Sequence, residues 1–251
     1  MRIAICLSGQ PRTWNKCLPN WLEKIAKQGE VDFFFHFWDY NTLPSLLASH
    51  NGGIPIEDEP LGPLDKWEIV EALKPKKFQF ESRKPIGYWN CEIPPERQFG
   101  HWCAEQFYSL YRVSLLKRQY EMENKFKYDV VIRSRGDLWL ENDFVIEKPV
   151  PNTMYSAHCS WDQTYNVYRV GDIFYYADSH TFDEIALFWK FLSFVPTEWV
   201  TPVDCPPPEI ALYFYLANMG IINNPTHISM KVMRTDKYKD LKGGLDGYEV
   251  I

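Results

Sequence analysis

RIAICLSGQPR, residues 2–12, is apolar and rich in β-branched residues from Arg2 to Leu7 and then breaks into Ser-Gly-Gln-Pro, which predicts a buried strand emptying into a turn. Apolar residues at helical spacing follow at Trp14, Leu18, Trp21, Leu22 and Ile25, with Gly29 placed to close that helix. VDFFFHFW, residues 31–38, is a second apolar run. Strand, helix, strand is the repeat that builds a parallel sheet through right-handed crossovers, so the opening of the chain predicts an α/β fold.

The same grammar returns at YDVVIRSRGD, residues 128–137, where a buried strand runs into Ser-Arg-Gly-Asp. A parallel sheet gathers the C-terminal ends of its strands along one edge, so this polar cluster and Ser8-Gly9-Gln10 are expected to meet there. Between them, Trp67 to Leu73 predicts a short helix, Lys77 to Glu81 alternates like a strand, and His101 to Asn124 carries the longest helical pattern. Asn41 to Pro63 and Ser82 to Phe99 read as loops. Further on, strands are expected at Thr153–Ala157 and Ile173–Ala177, and helices at 179–194 and 209–219, with a Pro-rich break at Cys205 to Pro208. Neither an internal repeat nor a domain-scale linker interrupts the chain. A single domain over 1–251 is expected, in two halves at 1–140 and 141–251, the second ending in a C-terminal tail.

The composition is that of an ordinary packed globular protein: 45% of the 251 residues are hydrophobic and 24% charged, which leaves disorder without a basis. A formal net charge of -6 disfavours a DNA or RNA partner, since phosphate tracking needs a basic surface. Basic residues cluster only at Lys74, Lys76 and Lys77 and at Lys231, Arg234, Lys237, Lys239 and Lys242, the second being placed to meet a diphosphate. The six cysteines, Cys6, Cys17, Cys91, Cys103, Cys159 and Cys205, form no C-x-x-C pair, so neither a zinc knuckle nor a thioredoxin-type motif is expected. With no signal-like start and no apolar run of membrane-spanning length, the expectation is a cytoplasmic protein of a bacterial or infected host cell.

Candidate chemistry concentrates at strand ends. Ser8, Gly9, Gln10 and Arg12 combine close backbone approach, hydrogen-bonding groups and a cation suited to a nucleotide, without the spacing of a P-loop or a dinucleotide fingerprint. Arg133, Arg135 and Asp137 alternate, so an extended backbone puts all three on one face, where the arginines clamp phosphate and Asp137 holds a divalent cation. A plain Arg135–Asp137 ion pair is the competing reading. Asp39, at the end of the second strand, is a candidate for the base or ribose, and His36, inside an apolar run, reads as a core histidine. Asp172, after Gly171, and Glu209, after three prolines at a helix start, are candidate general bases, each open to a capping or first-turn role. Trp161 and Asp162 are candidates for an acceptor sugar.

ICLSGQPRTW, YDVVIRSRGDLWL, VGDIFYYADSHTFDEIALFW and PPPEIALYFYLANMGI, in that order, resemble a loose set of bacterial and viral glycosyltransferase-like proteins related to the WavE-type lipopolysaccharide-synthesis family. The resemblance implies a Rossmann-like GT-A fold, with a mostly parallel central sheet flanked by helices. It implies a nucleotide-sugar donor, UDP-linked above all, held by the front loop. It also implies Mn²⁺ or Mg²⁺ on an Asp-x-Asp motif that here reads Arg135-Gly136-Asp137, with only Asp137 matching, and a C-terminal histidine at the metal and diphosphate, a place that His227, beyond the last predicted helix, would take. The implied activity is hexosyl or pentosyl transfer to a glycan or lipid-linked hydroxyl. Two alternatives stand beside it: a virus-encoded transferase acting on hydroxymethylated DNA bases, and an inactive sugar-binding protein of the same fold.

Overall fold

The computed structural model describes residues 1–42, 58–82, 99–157, 160–163, 166–192 and 208–233. The strands are β1 (Arg2–Gly9), β2 (Glu30–Trp38), β3 (Tyr40–Thr42), β4 (Asp58–Pro60), β5 (Lys77–Glu81), β6 (Val130–Ser134), β7 (Leu138–Leu140), β8 (Thr153–Ala157), β9 (Ser160–Asp162), β10 (Val167–Arg169), β11 (Tyr175–Ala177), β12 (Ile222–Thr226) and β13 (Met230–Val232). The helices are α1 (Trp14–Lys24), α2 (Pro63–Leu73), α3 (Phe99–Asn124), α4 (Ser179–Ala186), α5 (Phe188–Leu192) and α6 (Pro208–Asn218).

Seven strands form the central sheet in the order β12-β8-β11-β6-β1-β2-β5. All neighbours pair in parallel except β11, which runs antiparallel between β6 and β8. The fold is therefore α/β with a mostly parallel central sheet flanked by helices, a Rossmann-like arrangement. Central strands of such a sheet are covered on both sides, which is why β1 and β2 read as continuous apolar runs. On one side of β1, Ile3, Ile5 and Leu7 pack with Cys17 and Trp21 of α1 and Ile69 and Leu73 of α2. On the other, Ala4 and Cys6 pack with Phe107, Leu110 and Val113 of α3, Phe182 of α4 and Leu212 of α6.

Local rules set the helix ends. Pro63 opens α2, Asp65 accepts the Gly62 N–H at 2.8 Å, and Lys74 closes the helix in the left-handed region at φ 44°. Asp178 caps α4 by accepting from the backbone of His180 and Thr181 at 3.0 and 3.1 Å. The expected helix over 179–194 is two helices, α4 and α5, separated at Leu187, and 193–207 lies outside the described residues. The expected loop over 41–63 contributes β3, which pairs with β4, while 43–57 lies outside the described residues, as do 83–98 of the second loop. A buried charge cluster ties α3 to α4: Lys117 Nζ reaches Asp183 at 2.9 Å, Glu121 at 3.2 Å and Ser179 Oγ at 2.6 Å. No helix among the described residues is long and apolar enough to cross a membrane.

Candidate functional site

Taking only the sheet's strands in chain order, β5-β2-β1-β6 reads third, second, first, fourth, so the order reverses between β1 and β6. Ligands of open α/β sheets bind outside the strand C-termini at such a reversal. Leu7 stands opposite Ser134 there, which brings Ser8-Gly9-Gln10 beside Arg133-Ser134-Arg135 as the sequence predicts. Gly9 has φ +104°, a backbone state that side chains disfavour, and Arg12 takes φ 49° with its N–H on Asn41 Oδ1 at 2.9 Å. Gly136 is required for a different reason. A Cβ on it would lie 2.3 Å from the Pro11 carbonyl oxygen, so the two loops touch backbone to backbone at that point.

Asp137 locks this contact. Its side chain is fully buried, and it accepts Arg12 Nη1 at 2.8 Å, Arg135 Nε at 2.9 Å and Arg135 Nη2 at 2.8 Å. Bidentate, charge-assisted pairs of this kind are among the stronger polar contacts in proteins. The expectation that Arg133, Arg135 and Asp137 share a face is corrected here. β6 ends at Ser134, the chain turns at Gly136, and Asp137 lies on the α1 side, where its charge helps raise the Cys17 thiol. Arg133 points to the opposite, α3 side with Cys6 and Tyr175, its partners across the sheet.

The two residues assigned to a metal are not brought together. β13 pairs with β7 antiparallel, and the His227 carbonyl accepts from Asn142 at 2.7 Å, five residues along the chain from Asp137. At about 3.3 Å per residue those five residues span at most roughly 16 Å, and it is Met233, six residues beyond His227, whose N–H meets the Asp137 carbonyl. Both oxygens of Asp137 are engaged by guanidinium groups, and among the described residues no three His, Cys, Asp or Glu side chains are grouped to hold an ion. This donor set does not fit Mn²⁺ or Mg²⁺, which need several oxygen ligands free of competing cations.

On the α3 side lies a second group. Arg133 is fully buried, and its Nε, Nη1 and Nη2 make no hydrogen bond. Its guanidinium carbon stands 5.9 Å from the Tyr175 ring centroid. Burial pushes the Arg133 pKa down, and the nearby Asp172 carboxylate opposes that shift. Asp172 accepts from Gln106 of α3, and Glu209 at the start of α6 lies close enough to feel its charge. Burial first, and Asp172 second, raise the Glu209 carboxyl to about 7. Thus Asp172 and Glu209, read separately in the sequence, come within each other's electrostatic reach, with Val170 N–H on the Glu209 carbonyl at 3.3 Å and Arg133 feeling Asp172.

No family model matches the chain, and no curated protein matches it.

The remaining expected positions divide. Asp39 does stand at the end of β2, but its carboxylate binds Ser82 Oγ at 2.8 Å and Lys66 Nζ at 3.5 Å, which ties it toward β5. His36 is the satisfied core histidine expected: burial pushes its pKa down to about 4, and Nε2 lies 3.0 Å from Glu81. Its Nδ1 is 2.9 Å from Ser109 Oγ, which also accepts the Gly9 N–H at 2.7 Å. Trp161 and Asp162 fall in β9, which pairs with β10. Cys91, Cys159, Cys205 and the basic residues 234–242 lie outside the described residues. Sequence reasoning missed Ser109, Gln106 and Tyr175. The first two sit among the helical positions of α3 with no motif around them, and only the periodicity that faces α3 toward the strand ends signals them.

Proposed function

We propose that this chain transfers a sugar from a nucleoside diphosphate, UDP by preference, to a hydroxyl of a glycan or lipid-linked acceptor in the cytoplasm. The observation that carries the reading is the carboxyl pair Asp172–Glu209 beside the β1–β6 strand ends, with one member poised near neutrality. A general base works best with a pKa near the working pH. The order of the glycosyltransferase-like motifs supports the same conclusion.

In this reading Glu209 takes the proton from the acceptor hydroxyl as its oxygen bonds to the anomeric carbon. The bond from that carbon to the donor's diphosphate breaks, and the electron pair leaves with the diphosphate. Arg12 and Arg135, whose side chains are 25% and 19% exposed at the mouth of the loops, are the cations that meet that charge. They take the role that the resemblance gives to Mn²⁺ or Mg²⁺, and Asp137 orients them. Gly9 lets the nucleotide approach the loop backbone closely.

The test is UDP release from a panel of UDP-sugars, with excess EDTA and separately with Mn²⁺. Slow release from one donor that survives EDTA is expected. Absence of turnover for every donor under both conditions overturns the enzyme reading in favour of a sugar-binding protein.

A further inference from the structure

Seven buried side-chain polar atoms among the described residues lack a hydrogen-bond partner, and six of them belong to Ser8, Arg133, Tyr175 and Glu209. The seventh, Asp183 Oδ1, has the Lys117 ammonium 2.9 Å away. Buried polar groups are almost always satisfied, so this concentration in one corner marks a place where something else supplies the partners. Arg133, Tyr175 and Glu209 meet around Asp172, and Ser8, two residues past Cys6 on the same face of β1, borders them.

Charge decides what fits. Arg133 and Arg169 contribute cations, Asp172 and Glu209 contribute carboxyl groups, and Arg135, which Arg133 also feels, is paired with Asp137, so cations and acids balance once Glu209 is ionised. A diphosphate placed here would face both carboxyl groups. The donors and acceptors are mixed: guanidinium N–H groups and two hydroxyls on one side, carboxyl oxygens on the other. Arg133 feels Asp172 without hydrogen-bonding it. A hydroxyl, which accepts and donates at once, bridges such a pair.

Resting on the sugar-transfer reading, we infer that Arg133, Tyr175, Asp172 and Glu209 form a subsite for vicinal hydroxyls of a neutral sugar ring, and that Arg133 selects the sugar and does not bind the diphosphate. The ring belongs either to the donor or to the acceptor.

Calorimetry with the full chain compares UDP, UDP-glucose, UDP-galactose, UDP-glucuronate and the methyl glycosides of glucose, galactose and mannose, for the native protein and for Arg133→Met and Asp172→Asn. If the ring is the donor's, a neutral UDP-sugar binds at least about tenfold tighter than UDP, and each substitution removes that gain while leaving UDP itself within about twofold. If it is the acceptor's, the gain appears with a methyl glycoside added to the UDP-saturated protein. UDP-glucuronate gains nothing in either case. Failure of UDP to bind sinks the transfer reading alone. The corner is then judged on methyl glycosides at concentrations on the order of 10 mM, followed by saturation-transfer NMR, and silence for all of them overturns the inference. Tighter binding of UDP-glucuronate than of every neutral donor, or an equal loss of UDP affinity in Arg133→Met, overturns it as well.

Folding supplies an independent readout. An unpaired buried cation is a burden in the ligand-free protein, so Arg133→Met raises the melting temperature by at least roughly 2 °C. A fall of that size shows that Arg133 is structural and overturns the inference.

Discussion

Arg133 and Arg135 are two residues apart and belong to opposite kinds of site. Arg135 makes a bidentate pair with Asp137, which also holds Arg12, so every oxygen of that carboxylate is occupied. Arg133 feels the charge of an acid, Asp172, yet none of its nitrogens has a hydrogen-bond partner. The difference teaches which polar groups serve the fold and which await a ligand. A saturated cluster has spent its hydrogen bonds on joining two loops, whereas an unsaturated one keeps them available. Substitutions in the joint should therefore cost stability together with the diphosphate binding given to Arg12 and Arg135, whereas substitutions in the open corner should cost activity alone.

The sharpest test of that division is Glu209→Gln. Removing a positioned general base costs about 10²–10⁴ in rate, while at pH 6, where the native carboxyl holds its proton and Oε2 has no hydrogen-bond partner, the melting temperature stays unchanged. The pH profile carries the same signature. Glu209 is raised from 4.5 to about 7, so it holds its proton at pH 6, and transfer by the native protein rises as pH passes through about 7. Folding has the opposite sign: the native state binds the proton more tightly than the unfolded chain, so this group's contribution to stability is lost as pH rises from 4.5 through about 7. Glu209→Gln flattens both dependences. Rates that stay pH-independent across this window in the native protein remove Glu209 from the role.

Asp137→Ala is the matching test in the joint. It leaves two guanidinium groups, each mostly buried, without their shared anion, and a loss of about 3 kcal/mol in denaturant unfolding is expected. Mn²⁺ at millimolar concentration should leave the unfolding midpoint of the native protein unchanged. A Mn²⁺-dependent rise that disappears in Asp137→Ala would restore the metal reading. Next in size is Gly136→Ala, where the added methyl meets the Pro11 carbonyl and forces the loops apart. Overpacking of this kind costs about 2 kcal/mol, read by the same unfolding experiment.

The parallel core and the meeting of the two polar loops were legible because β1, β2 and β6 are covered on both faces and so read as unbroken apolar runs. β12, by contrast, reads Ile-Asn-Asn-Pro-Thr at the open edge of the sheet, exposed along most of its length, and no apolar pattern announces it. β7 and β13 are three residues each, too short for periodicity to register. In the site, the residue types were legible and their facing was not. One turn at Gly136 sends Asp137 to the α1 side, and that turn depends on the close approach of Pro11, a contact between residues 125 positions apart that no local pattern encodes. The pairing of Asp172 with Glu209 was equally hidden, since it follows from the packing of α6 beside β10 and not from any spacing between the two acids.

The smallest effect expected probes how the joint reaches into the helix layer. Ser109 in the interior of α3 is fully buried and accepts the Gly9 N–H at 2.7 Å, while His36 and Glu81 continue the chain behind it. Ser109→Ala leaves the Gly9 N–H and the His36 Nδ1 without that partner, at a cost of about 1–2 kcal/mol. The loop itself is still held by the Gly136–Pro11 contact and by Asp137, so the fold survives and the loss falls on the precision of the Gly9 backbone. That predicts weaker UDP binding with little change in the turnover of bound donor, a split between KM and kcat that calorimetry and steady-state rates together resolve. Cysteine at the same position, which keeps a weak acceptor, should recover part of the UDP affinity. Equal damage from alanine and cysteine would mean that the helix layer merely packs against the loop and does not position it.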